Sequence, residues 1–230
     1  VGEWPTITHP LAWPLTRALA PGRGTLWLSF LQVLAGGAVC LLHLRWRGLG
    51  RAALAGAVAF ELAPLFTAWA ARPFITAARP WGALTLWAAD ALARRPGPRP
   101  AAAFAGAVGG GLLCAFPQLT LTVSLVAAAL AIAGAGRAWW RAAGWTALAL
   151  ALGALLAAAR LAPLSAVMGW SSRAALPWSE GHARTAAIGP DLLGTLVAPD
   201  LTGHPLRGWL APGEGVCANM QELRIYAGLP

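Results

Sequence analysis

Long apolar runs broken by short, arginine-bearing turns constrain this chain more than any other feature. Stretches near the ~20 residues that cross a hydrocarbon core fall at 25 to 44, 52 to 71, 74 to 93, 101 to 116, 119 to 136 and 142 to 161. The connections between them are too short for anything but hairpins of adjacent spans. Composition leads to the same place, because 58% of the 230 residues are hydrophobic and 11% are charged, less than half the charge that covers a soluble domain. Lipid has to cover what water cannot. The sequence therefore predicts an all-α polytopic transmembrane helical bundle of about six spans with a long outer loop. This apolar content excludes intrinsic disorder, and three cysteines are too few for a disulfide scaffold.

Charge sets the orientation. The formal net charge is +9, and every basic residue is arginine. Eight arginines crowd three turns, Arg45 to Arg51, Arg94 to Pro100 and Arg137 to Arg141, whereas the alternate turns hold only Arg72 and, at Pro117-Gln118, none. Positive loops stay in the cytoplasm, so those three turns face inward and the long segment after residue 161 faces outward. Arginines spread over separate turns do not form the single basic face of a nucleic-acid binder. Arg79, Pro80 and Asp90 interrupt the third span, which predicts a helix starting near Trp81 and leaves 72 to 80 as an outer or re-entrant stretch. The predicted order is an outer loop at 1 to 24, the six-span region at 25 to 161, and an outer loop at 162 to 225. The start of a truncated further span follows at 226 to 230. Opening at Val1 without Met, the chain reads as an internal piece of a larger multi-span protein. The 13 tryptophans, many near span ends, fit an interfacial belt.

Within the spans, Glu61 is costly as an ionised group unless it faces a cavity or a partner, and pairing with a neighbouring span is the favoured reading. Gly36-Gly37 and Gly109-Gly110-Gly111 read as sites of close helix packing. Cys40 and Cys114 lie in apolar runs and read as packing residues, with Cys217 a free thiol in a polar stretch. His9, His43, His182 and His204 have no metal-ligand spacing, so the sequence calls for neither a metal nor another cofactor.

Several short phrases, in order, resemble the bacterial YfhO-type membrane proteins, a family related to the GT-C glycosyltransferases. Gly2-Glu3-Trp4-Pro5 and Trp13-Pro14-Leu15 resemble its outer loop. Leu34-Ala35-Gly36-Gly37 ahead of Arg47-Gly48-Leu49-Gly50 resembles its Ala-Gly span and basic turn, and Trp81 through Ala93 resembles its helix ending in such a turn. Phe116-Pro117-Gln118 resembles its Gly-His-Pro-Gln turn, without the Gly-His. Leu155 to Pro163 followed by Ser171-Ser172-Arg173 resembles its apolar run into Gln-Leu-Leu-Pro and Ser-Arg, with Arg160 in place of Gln. Pro190, Leu193, Leu196 and Pro199-Asp200 resemble its outer-loop phrase, and Glu222 before Tyr226-Ala227-Gly228-Leu229-Pro230 resembles its Glu before Tyr-x-Gly-Leu.

The resemblance implies a multi-pass protein of the bacterial cytoplasmic membrane that transfers a sugar from a polyprenyl-phosphate carrier to an extracytoplasmic acceptor. It also implies a catalytic acid in a first outer loop that would lie largely upstream of Val1. The partners expected are the polyprenyl-phosphate-linked sugar and membrane lipid, with no nucleic acid. Such chemistry needs a carboxylate base and cations against the leaving phosphate. Glu222, which the family phrase sets just before the next span, is the first candidate acid. Asp200 is the second and Asp191 follows. Arg160 and Arg173 are candidate phosphate ligands through the guanidinium fork. Gln118 is a candidate for orienting a sugar hydroxyl, and His204 for binding substrate. Each has an alternative as a solvated, capping or lipid-pairing residue. A transporter or lipid-carrier flippase without glycosyl transfer is the rival reading, because charges within spans and a long outer loop serve it equally.

Overall fold

A computed structural model describes residues 12–19, 21–62, 73–169, 203–204 and 209–210. These form helices joined by short turns, with one two-residue antiparallel pair. The helices are α1 (Ala12–Ala18), α2 (Pro21–Trp46), α3 (Ala52–Glu61), α4 (Pro73–Thr76), α5 (Ala78–Arg94), α6 (Pro98–Cys114), α7 (Pro117–Gly134), α8 (Trp139–Leu156) and α9 (Ala158–Gly169). Strands β1 (Gly203–His204) and β2 (Trp209–Leu210) pair His204 with Trp209. The chain divides into two compact units, Val1–Glu61 with Trp69–Ser165, and Leu62–Ala68 with Ala166–Pro230. Everything described below belongs to the first, except the β pair and the end of α9.

Among the described residues, two helices are long and apolar enough to cross a membrane, Gly22–Trp46 and Pro117–Gly134. A third crossing arises if Gly136–Leu156 and Ala158–Ala166, bent by 66° at their junction, are taken as one span. Helix boundaries follow local chemistry. Pro98 and Pro117 open α6 and α7 at positions whose N–H has no intrahelical partner anyway. At the end of α2 the Leu49 N–H donates to the Leu44 carbonyl and the Gly48 N–H to the Arg45 carbonyl. This is the Schellman pattern, which needs a left-handed residue, and Gly48 supplies it with φ of 86°.

One sequence expectation needs correction. The third helix starts at Ala78, not near Trp81, because Pro80 falls in the first turn, where its missing N–H breaks no helical hydrogen bond. Arg79 lies in the first turn of this helix and is 2% exposed. Residue 161, where the six-span region is expected to end, lies within α9 (Ala158–Gly169). For the run 52 to 71, α3 and Leu62 are described, and 63 to 72 lie outside the described residues.

Helix α5 is the hub, packing against α2, α6 and α7, while α8 packs on α6. The main core joins Ala88, Ala89 and Leu92 of α5, Phe104 and Val108 of α6, Ala127 and Ala131 of α7 and Ala149 of α8. Most buried apolar residues are alanines, and Gln32, Thr76, Arg79, Thr85, Ser124 and Thr146 are buried with them. Leu26, Leu34, Leu54, Leu125, Leu130, Trp140 and Leu155 are instead more than half exposed. Water would favour the reverse distribution. A lipid surround leaves large apolar side chains facing outward and packs small ones between helices. Glycines carry this furthest at the α6–α8 crossing, where a Cβ on Gly109 would sit 3.1 Å from the Gly153 carbonyl and one on Gly153 3.0 Å from that of Ala105. Gly110 is covered by the Trp81 ring, with no room for a Cβ.

Candidate functional site

On α2, Ser29, Gln32 and Gly36 are spaced three and four apart and so share one helix face. That face meets Glu61 at the end of α3 and Arg79 in the first turn of α5. Arg79 Nη1 donates to Glu61 Oε2 at 2.7 Å, with side-chain exposures of 3% and 16%. Gly36 makes the approach possible, since a Cβ there would lie 2.7 Å from the Arg79 Cβ and 2.8 Å from Glu61 Oε1. Gly36-Gly37 is thus a close-packing site, and Glu61 is paired with a neighbouring helix, as the sequence predicts for both.

Thr76 Oγ1 donates to Gln32 Oε1 beside this pair. Beside this pair, Glu61 Oε1, Gln32 Nε2 and Ser29 Oγ are buried without a hydrogen-bond partner among the described residues, the first an acceptor, the second a donor and the third able to be either. Leaving such a group unmade costs about 1 to 3 kcal/mol. The cluster therefore has the capacity to receive a group that both donates and accepts, such as a hydroxyl.

A second polar cluster lies nearer the other end of the α2–α5 seam. Asp90 accepts from His43 Nε2 at 3.1 Å, Arg47 Nη1 at 3.1 Å and Arg94 Nε at 3.3 Å. The His43 ring stacks on Trp87 with centroids 6.0 Å apart. The Arg94 guanidinium lies 4.7 Å from the Trp46 ring centroid, within cation–π range. Asp90 thus ties two of the arginine-rich turns together.

The structure brings together two of the residues predicted to bind substrate. Arg160 reaches the α6–α7 corner, where its Nη1 donates to the Leu112 carbonyl at 2.6 Å and the Ala115 carbonyl at 2.8 Å. These lie at the C-terminal end of α6, where helix carbonyls otherwise lack partners. Gln118 is exposed in the first turn of α7, at the same corner, and its carbonyl accepts from Thr122 Oγ1. Arg173, Asp200 and Glu222 lie outside the described residues. His204 is described only through its backbone in β1. Cys114 is buried and Cys40 half-buried, both as free thiols.

Sequence reasoning did not find Gln32 or Thr76, nor the partners of Glu61 and Asp90. The serine, glutamine and glycine at one helical spacing in an otherwise apolar run were the available signal for the first cluster. Comparison with known protein families, curated proteins and solved structures gave no match.

Proposed function

We propose that this chain belongs to a multi-pass protein of the bacterial cytoplasmic membrane, with about six spans. Its arginine-rich turns face inward, and it transfers a sugar from a polyprenyl-phosphate carrier to an acceptor on the outer side. The observation that supports this reading is the α6–α7 corner. Phe116-Pro117-Gln118 and the phrase around Arg160, which the resemblance to YfhO-type proteins singles out separately, meet there through the Arg160 hydrogen bonds to Leu112 and Ala115. Gln118 is then free to orient a sugar hydroxyl, while Arg160 holds the corner. Glu222 and Asp200 are the carboxylates proposed for the acceptor proton. Glu222→Gln in the full-length protein removes the charge and keeps the volume, so sugar transfer should be lost at normal membrane expression. Unchanged transfer would reject the role of Glu222, and lost expression would make it structural.

A transporter or lipid-carrier flippase is the second reading, and the buried cluster at Glu61 favours it, because ionisable groups inside a bundle mark substrate or ion paths. Glu61→Gln separates the two. Under this reading it abolishes translocation of a lipid-linked sugar in proteoliposomes, whereas under the first it leaves transfer intact in whatever protein folds.

A further inference from the structure

Where α5 turns into α6, an open groove of about 820 Å³ is lined by Trp46, Arg94, Arg95, Arg99, Pro98 and Pro100. Glu61 and Asp90 are the only acids among the described residues, and each is already paired with arginine. Among those residues no carboxylate pairs with Arg95 or Arg99, and Arg94 meets Asp90 through Nε alone. The start of α6 adds to the positive field, with no acidic residue in its first turn and no side-chain cap.

A second cleft, of about 270 Å³ and almost wholly apolar, adjoins the first at Ala91, which lines both. It runs between α5 and α6 along Trp87, Ala88, Ala103 and Ala107 as far as Trp81. A basic mouth opening into an apolar channel between two helices matches one kind of molecule, a lipid with an anionic head.

We propose that the α5–α6 junction binds an anionic diacyl phospholipid, its phosphate held by Arg94, Arg95 and Arg99 and one acyl chain lying in the cleft along Ala103 and Ala107. The three arginines supply the cations such a headgroup selects. Trp46, Pro98 and Pro100 add apolar surface to the lining of the groove. The site is at the opposite end of α6 from Arg160 and Gln118, so it is separate from the corner proposed for the sugar carrier. The inference rests on the reading of these helices as bilayer-embedded, which retention of the protein in the membrane after an alkaline carbonate wash checks separately.

The test uses the full-length protein, purified in neutral detergent and stripped of lipid. Bound lipid is counted by native mass spectrometry with dioleoylphosphatidylglycerol, dioleoylphosphatidylcholine, a polyprenyl phosphate or inorganic phosphate added. Phosphatidylglycerol should be retained in preference to the other two lipids, and inorganic phosphate should not displace it. Arg95→Gln with Arg99→Gln should weaken retention roughly 30-fold, because it removes two of the three guanidinium groups that face the headgroup at the membrane surface. Ala103→Phe, which leaves every charge in place and fills the cleft from an exposed position, should weaken it as well. Equal retention of phosphatidylcholine would overturn the proposal, and so would an Ala103→Phe protein that binds normally. Displacement by inorganic phosphate would reduce the site to a simple anion site, and preference for polyprenyl phosphate would reassign it to the carrier; either overturns the proposal. The wild-type comparisons decide the matter even if a variant fails to fold.

Discussion

At the scale of single residues, Glu61 and Arg79 are the clearest case of mutual dependence. The two are buried against each other, and removing one takes from the other its opposite charge. Breaking a buried pair from one side costs about 3 kcal/mol, whereas replacing both members by uncharged residues restores much of it. Glu61→Gln and Arg79→Gln should therefore each lower resistance to unfolding by SDS in bicelles by about that amount, and the double variant by clearly less than their sum. Strict additivity would mean that the ion pair contributes nothing. The sequence made half of this legible. A carboxylate in an apolar run has to be paired, but its partner lies 18 residues away across a connection whose path no spacing rule predicts. The partner is also masked by Pro80, which reads as a helix breaker in one dimension and acts as an ordinary first-turn residue in three. Asp90 reads in one dimension only as an interruption of its span. His43 and Arg47, 47 and 43 residues earlier, reach it because α2 and α5 lie side by side.

At the scale of elements, helix ends are set by a few residues whose chemistry can be checked one at a time. The close of α2 depends on Gly48 in the left-handed region, with both Schellman hydrogen bonds built around it. A side chain there adds strain of about 1 kcal/mol. Gly48→Ala should thus lower the thermal unfolding midpoint in detergent, while Gly106→Ala, a helical glycine with nothing near its absent Cβ, should hold or raise it. Equal effects of the two substitutions would remove the turn geometry from the explanation. Helix positions were largely readable from run lengths, since α2, α6, α7 and α8 each overlap the apolar stretch that predicts them. The bend between α8 and α9 was not, because a break at Ala157 has no residue signature; alanine is the best helix former there is.

At the scale of the whole molecule, the distribution of arginine is the strongest constraint on how the chain sits in a bilayer. With eight arginines in three turns, a cysteine placed at Gly97 should be protected from an impermeant thiol reagent applied outside intact cells, and one at Gly203 should react, in a protein whose native cysteines are replaced. Labelling at Gly97 with protection at Gly203 would invert the orientation. The alanine-built interior has a separate consequence, for how such a protein changes over generations. Alanine loses no rotamer freedom on burial, so the helices come together at little entropic cost in their side chains. By the same token there is no side chain to turn aside when a neighbour grows. Inward positions such as Ala89, Ala127 and Ala149 are then closed to almost every larger residue. The lipid-facing leucines, which touch only a fluid, are free to drift among apolar types. Descendants of this chain should keep their small residues and exchange their large ones, the opposite of the pattern by which related water-soluble proteins are usually recognised.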